Sequence, residues 1–83
     1  MFKMIVEDAV NIRNKIISFG GTCENRHNFK SRLIDDLGNI YENVYEPFIK
    51  HVVFNDSKIT LAINENIDAK KLIGRTLTEY PDN

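Results

Sequence analysis

The fold depends on the conformation of residues 33–53, LIDDLGNIYENVYEPFIKHVV, the most strongly patterned stretch of the chain. Helical spacing places eleven apolar side chains of this stretch on one face. They are Leu33, Ile34, Leu37, Ile40, Tyr41, Val44, Tyr45, Phe48, Ile49, Val52 and Val53. Gly38 weakens a helix and Pro47 cannot lie inside one without breaking a hydrogen bond. We therefore predict a helix over about residues 23–45.

The same stretch has a second interpretation as two strands. Residues 29–34 and 40–45 would pair through the turn Asp35-Asp36-Leu37-Gly38-Asn39, which is rich in turn-forming residues. Strict alternation would put about half of the large apolar side chains on the wrong face of such strands. The helical interpretation is therefore preferred, and the strands remain the alternative.

The flanking segments carry their own periodicities. Residues 3–18 have apolar side chains mostly three and four positions apart, which predicts a helix. Residues 51–54 and 58–63 are rich in β-branched side chains and are separated by a short polar stretch, which predicts a hairpin. A last helix is predicted over about residues 69–78, capped at its start by an aspartate.

These elements predict a single α+β domain over residues 1–83. Its order is α-α-β-β-α, with the helices packed on an antiparallel β-hairpin, since two strands alone are marginally stable in water. The alternative is an antiparallel β-meander flanked by N-terminal and C-terminal helices.

Composition narrows the classes of protein. The net charge is −1, so the chain lacks the basic excess typical of proteins that coat nucleic acid. Cys23 is the only cysteine, which fits a reducing compartment, and no apolar run approaches the roughly 20 residues that span a bilayer. We predict a cytoplasmic protein without membrane contact. Eleven isoleucines and ten asparagines give a phage-like composition, typical of AT-rich coding sequence.

Tyrosines within the apolar stretch suggest a protein interface. The stripe is wider than an 83-residue core needs, and tyrosine is enriched where proteins bind one another. We predict an interface with another protein, or with a second copy in a homodimer. Its residues are Tyr41, Val44, Tyr45 and Phe48. The alternative is that these side chains belong to the core.

A basic cluster lies near the start of the predicted second helix. Its members are Arg26, His27, Lys30 and Arg32. Cations there, and carboxylates in the later half, have the sign that the helix dipole disfavours. A bound anion, antiparallel pairing with a second copy, or ordinary solvated charges each explain the pattern. The cluster is the candidate site for RNA or a nucleotide, with Lys50, Lys70, Lys71 and Arg75 as further candidates.

The sequence gives little support for a catalytic site or a metal site. Cys23 and His27 are four residues apart, but a structural zinc site needs four ligands, and only Glu24 and His51 are at hand to complete it. No glycine-flanked nucleophile turn accompanies the cysteine. We predict no catalytic residues, no metal, no cofactor and no enzymatic activity.

The sequence therefore predicts a non-enzymatic regulatory or inhibitory protein that acts by protein–protein interaction, as a homodimer. The alternative function is an RNA-binding or nucleotide-binding module that uses the basic cluster at residues 26–32.

Overall fold

The computed structural model describes residues 1–13, 15–47 and 57–80. Within these residues, six antiparallel strands form one sheet in the order β4-β3-β6-β1-β2-β5. The strands are β1 (Lys3–Ile12), β2 (Ile16–Glu24), β3 (Leu33–Asp35), β4 (Ile40–Tyr41), β5 (Lys58–Ile63) and β6 (Thr76–Glu79). Two short 3₁₀ helices accompany them, η1 (Arg26–Asn28) and η2 (Ala69–Leu72).

The predicted α+β fold with the order α-α-β-β-α is wrong. β1 and the start of β2 occupy the predicted first helix, β3 and β4 lie within the predicted second helix, and η2 and β6 replace the third. The alternative meander flanked by helices is also wrong, because both flanking segments form strands. Its turn over residues 35–39 is nevertheless present, between β3 and β4. The predicted strand over 58–63 is confirmed as β5, while residues 51–54 lie outside the described residues.

The core follows the alternation of the strands. Side chains at every second position point to one side and are almost completely buried in the first half of β1, in β2 and in β5, whereas no side chain of β1 after Val6 is fully buried. The main buried side chains are Phe2, Met4, Val6, Ile17, Phe19, Leu33, Ile59, Leu61, Ile63, Leu72 and Leu77. These segments form strands because pairing with distant strands buries every second side chain. This tertiary pairing outweighs the local spacing of three and four residues on which the helices were predicted.

A bulge in β1 brings two strands unusually close. The register passes from Val6 opposite Gly21 to Asp8 opposite Gly20, which leaves Glu7 as the extra residue. A Cβ atom on Gly21 would lie 1.9 Å from the carbonyl oxygen of Ile5, so only glycine fits there. Gly21 therefore permits the close approach of β1 and β2 at the bulge.

The two ends of the sheet meet. Asn43, which has a left-handed backbone (φ 56°), turns the chain after β4. The backbone N–H of Tyr45 then donates to Ala62 of β5 (3.1 Å), and the N–H of Ala62 donates back (2.8 Å). The N–H of Val44 donates to Ser31, which precedes β3 (2.9 Å). In the part of the chain that the structure describes, the sheet closes around the core through one bridge, that of Tyr45 with Ala62, which we call the seam.

Within the described part of the chain, no helix has the length and apolar character needed to cross a membrane.

Candidate functional site: a cleft beside the seam

A cleft with a volume of about 670 Å³ lies between β4 and the chain that follows β5. We call it the seam cleft. Its lining residues are Asp35, Leu37, Asn39, Ile40, Tyr41, Glu65, Ile67, Lys70, Lys71, Ile73 and Arg75. The volume falls in the range of roughly 300–1,000 Å³ that is usual for ligand-binding clefts.

A buried carboxylate organises one wall of the seam cleft. Asp35 is 6% exposed and is the only buried charged residue among those described. Its Oδ1 accepts from the backbone N–H groups of Leu37 and Asn39 (2.9 Å each). Its Oδ2 accepts from the side-chain amide of Asn39 (3.1 Å) and from the hydroxyl of Tyr41 (2.9 Å). Four donors thus satisfy a charge that would otherwise be costly to bury.

This network shifts the pKa values of both acidic groups. Burial raises the pKa of the Asp35 carboxyl, but the hydrogen bonds that it accepts, those of Asn39 foremost, lower it by more. The pKa of Asp35 therefore lies below its ordinary value. Burial and the hydrogen bond to Asp35 both raise the pKa of Tyr41 above its ordinary value. At neutral pH the carboxyl is ionised and the phenol is protonated, so the wall is held by a charge-assisted hydrogen bond.

Three large apolar side chains border the seam cleft and remain in contact with water. Leu37 is 68% exposed, and Ile40 and Ile73 are each 44% exposed. Leu37 belongs to the β3–β4 turn and Ile73 follows η2, so the two walls of the cleft present similar apolar surface. An exposed apolar group around a concavity is the usual mark of an interaction site.

The charged groups of the seam cleft are mainly basic. Lys70 and Lys71 are exposed, and no carboxylate of the described residues forms an ion pair with them. Arg75 has its Nη1 3.6 Å from Asp36, while its Nε is buried without a hydrogen-bond partner. Glu65 is the opposing charge on the lining, apart from the fully hydrogen-bonded Asp35. Apart from Arg75, which lies beside Asp36, the charges of the cleft are thus two cations, Lys70 and Lys71, and two carboxylates, Glu65 and the hydrogen-bonded Asp35.

The predicted interface residues are dispersed by the fold. Tyr41 lines the floor of the seam cleft, with its ring largely buried. Val44 lies in the core, and Tyr45 is exposed beside β5. Phe48 lies outside the described residues. The interface assignment itself stays a prediction: Tyr45 is its exposed member, and Tyr41 borders the cleft as a buried side chain.

Tyr45 belongs to a second apolar surface on the outside of the sheet. Residues that face each other across antiparallel strands share one side of a sheet. The register places Val10, Ser18, Ala62 and Tyr45 side by side in this way, and Leu61 and Ile63 point to the opposite, inner side. We call these four residues the outer row. Ile12 extends it along β1, also exposed.

The basic cluster at residues 26–32 is partly neutralised by its surroundings. Arg26 lies 3.4 Å from a carboxylate oxygen of Glu46 and also donates a hydrogen bond to the backbone of Lys58. Arg32 lies 3.4 Å from Glu42, and its guanidinium is 5.8 Å from the centre of the Tyr80 ring. His27 and Lys30 are exposed. Since β2 and η1 replace the start of the predicted helix, the argument from the helix dipole no longer applies.

The cysteine and histidine that were weighed as metal ligands do not share a helical face. Cys23 is buried in β2, whereas His27 is exposed in η1, and His51 lies outside the described residues. In the residues that the structure describes, no group of three or more His, Cys, Asp or Glu side chains is placed to hold a metal ion.

Sequence reasoning missed Asp35 as the centre of the site. The signal was present in the turn sequence, because an aspartate that precedes a Gly-Asn pair commonly accepts hydrogen bonds from the next backbone N–H groups. Lys70, Lys71 and Arg75 were named only as further candidates for nucleic-acid binding. Nothing local in the sequence indicates that they face the β3–β4 turn, which lies more than thirty residues earlier.

Comparison with known proteins adds no relative, since no protein-family model, no curated protein sequence and no solved structure matches this chain.

Proposed function

We propose that this chain is a non-enzymatic regulatory or inhibitory binding protein that acts by docking another protein at the seam cleft. The observation that carries the proposal is the convergence of exposed Leu37, Ile40 and Ile73 with the cations Lys70 and Lys71 around one concavity. Apolar side chains supply most of the binding free energy of such contacts, and charges supply orientation and partner choice.

The chemistry of the cleft defines the partner surface. It would present apolar side chains to Leu37 and Ile73 and at least one carboxylate to Lys70 and Lys71. Glu65 would repel a carboxylate placed beside it, which restricts the acidic group to the η2 side of the cleft. We place the protein in the cytoplasm as part of this proposal, since its one cysteine, Cys23, cannot form an intramolecular disulfide, as fits a reducing compartment.

We propose further that two copies associate through the outer row. None of the four residues of the outer row is charged, although Ala62 is buried and the exposed Asp8 lies at the border, two residues before Val10; a copy of the row is therefore an electrostatically acceptable partner across a two-fold axis. Tyr45 and Val10 are its two most exposed members. Sedimentation equilibrium at tens of micromolar should show a dimer that Tyr45→Ala weakens at least tenfold. A monomer at that concentration contradicts the dimer and leaves the docking proposal unaffected.

Docking at the seam cleft is tested by comparing variants in affinity capture from native lysate. The test variant is Leu37→Ser combined with Ile73→Ser, and Ile5→Thr is the control, because Ile5 is an exposed apolar residue of β1 away from the cleft. Wild-type protein and the control should retain the same proteins, and the test variant should lose them. Equal retention by the test variant contradicts the assignment.

The alternative function, binding of RNA or a nucleotide through Arg26, His27, Lys30 and Arg32, is separated by treating the same lysate with nuclease. Capture that persists after nuclease treatment and at moderate salt supports protein docking. Capture that nuclease abolishes, together with affinity for RNA that falls steeply with salt, favours the alternative and contradicts the proposal.

A further inference from the structure

We infer that the docked segment binds as an added β-strand, paired with the open edge of β4 inside the seam cleft. This inference rests on the proposed function and specifies how the partner is held. The feature that carries it is the backbone N–H and C=O of Ile40 at the edge of β4.

The edge follows from the hydrogen-bonding pattern of the β3–β4 hairpin. The backbone N–H of Asp35 donates to the carbonyl of Asn39 (2.9 Å), while the carbonyl of Asp35 accepts from Gly38 (3.1 Å), so Asp35 and Asn39 close the ladder at the turn in the position of a hydrogen-bonded pair. In an antiparallel ladder such pairs alternate with pairs that exchange no backbone bonds. The next pair, Ile34 opposite Ile40, is therefore of the second kind. It follows that the N–H and C=O of Ile40 point away from β3.

The outward direction from β4 leads into the seam cleft. β4 is the terminal strand of the sheet and pairs with β3 alone within the described residues. Among residues 1–13, 15–47 and 57–80, the seam joins this end of the sheet to β5 at Tyr45 and Ala62 alone. Between the seam and Ile40, β4 separates from the chain that follows β5, and the space between them is the seam cleft. An extended segment laid against Ile40 would thus continue the sheet across the gap in its closure.

The charges select which extended segment fits. A strand at the normal spacing of about 4.8 Å from β4 lies between the β3–β4 turn and η2. Its side chains alternate between the two faces, so apolar residues can contact Ile40 and Ile73 while a carboxylate reaches Lys70 or Lys71. The occupant is therefore an extended segment of a partner protein with apolar and acidic residues interspersed. The backbone bonds supply affinity and the side chains supply selectivity.

The test uses peptides selected from a phage-displayed library of random dodecapeptides, with fluorescence anisotropy as the measure of affinity. Enriched peptides should contain acidic and apolar residues, and Lys70→Glu combined with Lys71→Glu should weaken them at least tenfold. Lys15→Glu combined with Lys30→Glu makes the same charge change away from the cleft and should weaken them less than threefold. Methylation of the one peptide backbone nitrogen that faces Ile40 should weaken the affinity of the peptide at least tenfold. Methylation of the neighbouring peptide nitrogens should change the affinity little.

The outcomes separate strand addition from docking in general. If selected peptides need Lys70 and Lys71 but tolerate methylation at every backbone nitrogen, strand addition is wrong and docking at the cleft stands. If they bind equally well to the Lys70→Glu, Lys71→Glu variant, both are wrong. If no peptide is enriched, strand addition is overturned, and the capture experiment alone then decides the docking proposal.

Discussion

The two halves of the sheet are held together by different means. β1, β2 and β5 are ten, nine and six residues long and are joined by continuous pairing over an alternating apolar face. β3 and β4 are three and two residues long, and the carboxylate of Asp35 ties their turn together. The long half depends on burial of apolar surface, whereas the short half adds a hydrogen-bonded charge, that of Asp35, to its buried Leu33 and Tyr41.

This difference explains where the candidate site lies. Segments with few backbone pairs and little buried apolar surface open at lower free energy than the core of a domain, and binding surfaces are often found in them. The seam cleft is bordered by the short half and by η2, away from the long strands. The following predictions test whether the halves differ as described.

The largest loss of stability is expected in the long half, where β1 and β2 approach each other closely at Gly21. Gly21→Ala would force β1 and β2 apart, because the new Cβ would overlap the carbonyl oxygen of Ile5. A domain of this size has a stability of only about 5–10 kcal/mol, so we expect the variant to be largely unfolded at 25 °C. Circular dichroism during thermal denaturation would measure this.

Gly20→Ala is the matched control for that substitution. Its Cβ would lie 3.3 Å from the nearest atom, the carbonyl oxygen of Ile59, which a small shift relieves. A cooperative transition within a few degrees of the wild type is expected for the control. If both variants melted at similar temperatures, the fold would not require the close approach of β1 and β2 at Gly21.

A smaller effect is expected from the charge in the short half. Asp35→Ala would leave the Tyr41 hydroxyl and the backbone N–H groups of Leu37 and Asn39 without their acceptor. We expect a loss of about 3 kcal/mol in the free energy of unfolding, measured by urea denaturation. Tyr41→Phe removes a single hydrogen bond and should cost about 1 kcal/mol. A loss below that of Tyr41→Phe would mean that the carboxylate does not organise the turn.

The same pair predicts the pH dependence of stability. Because the pKa of Asp35 is lowered in the folded state, its contribution is complete above the ordinary carboxyl pKa of about 4 and is lost as the pH falls below it. Because the pKa of Tyr41 is raised, its contribution is complete below the ordinary phenol pKa of about 10 and is lost above it. When the free energy of unfolding is measured by urea titration at several pH values, Asp35→Asn should reduce the loss of stability at acid pH. An unchanged loss in this variant would mean that other carboxyl groups cause it.

The smallest effect is expected at the turn glycine of the short half. Gly38 has a backbone φ of +88°, and a Cβ there would meet no atom within 4 Å. Gly38→Ala therefore introduces backbone strain without a clash, and should lower stability by about 1 kcal/mol, or about 4–8 °C in Tm. A loss as large as that of Asp35→Ala would show that the turn conformation, rather than the carboxylate, holds the short half.

The sequence predicts a hairpin, whose second strand is confirmed as β5, and its alternative interpretation predicts the turn at residues 35–39. The bulge gives the physical reason why the first helix was misassigned. Before Glu7 the positions of β1 on the core side of the sheet are Met4 and Val6, and after it they are the half-buried Ala9 and the exposed Asn11. The spacing two, three, two matches no continuous strand template and resembles that of a helix. A register shift imposed by a partner strand is not visible in a single segment.

The site was less predictable than the fold. Asp35 with Gly38 and Asn39 has the composition of a turn, which the alternative interpretation used correctly. The cleft, however, joins residues 35–41 to residues 65–75, and only the closure of the sheet brings them together. The prediction of an interface at Tyr41 and Tyr45 identified side chains near both surfaces but treated them as one face of a helix.

Amide hydrogen exchange followed by NMR tests the central claim, that the sheet is closed at the seam and left open along β4. The N–H of Ile40 should exchange nearly as fast as in an unfolded peptide, while the N–H of Asp35, which donates to Asn39, should be protected, and the amides paired between β1 and β2 should be protected most strongly. Protection of Ile40 equal to that of Asp35 would show that its edge is already occupied and would contradict the account.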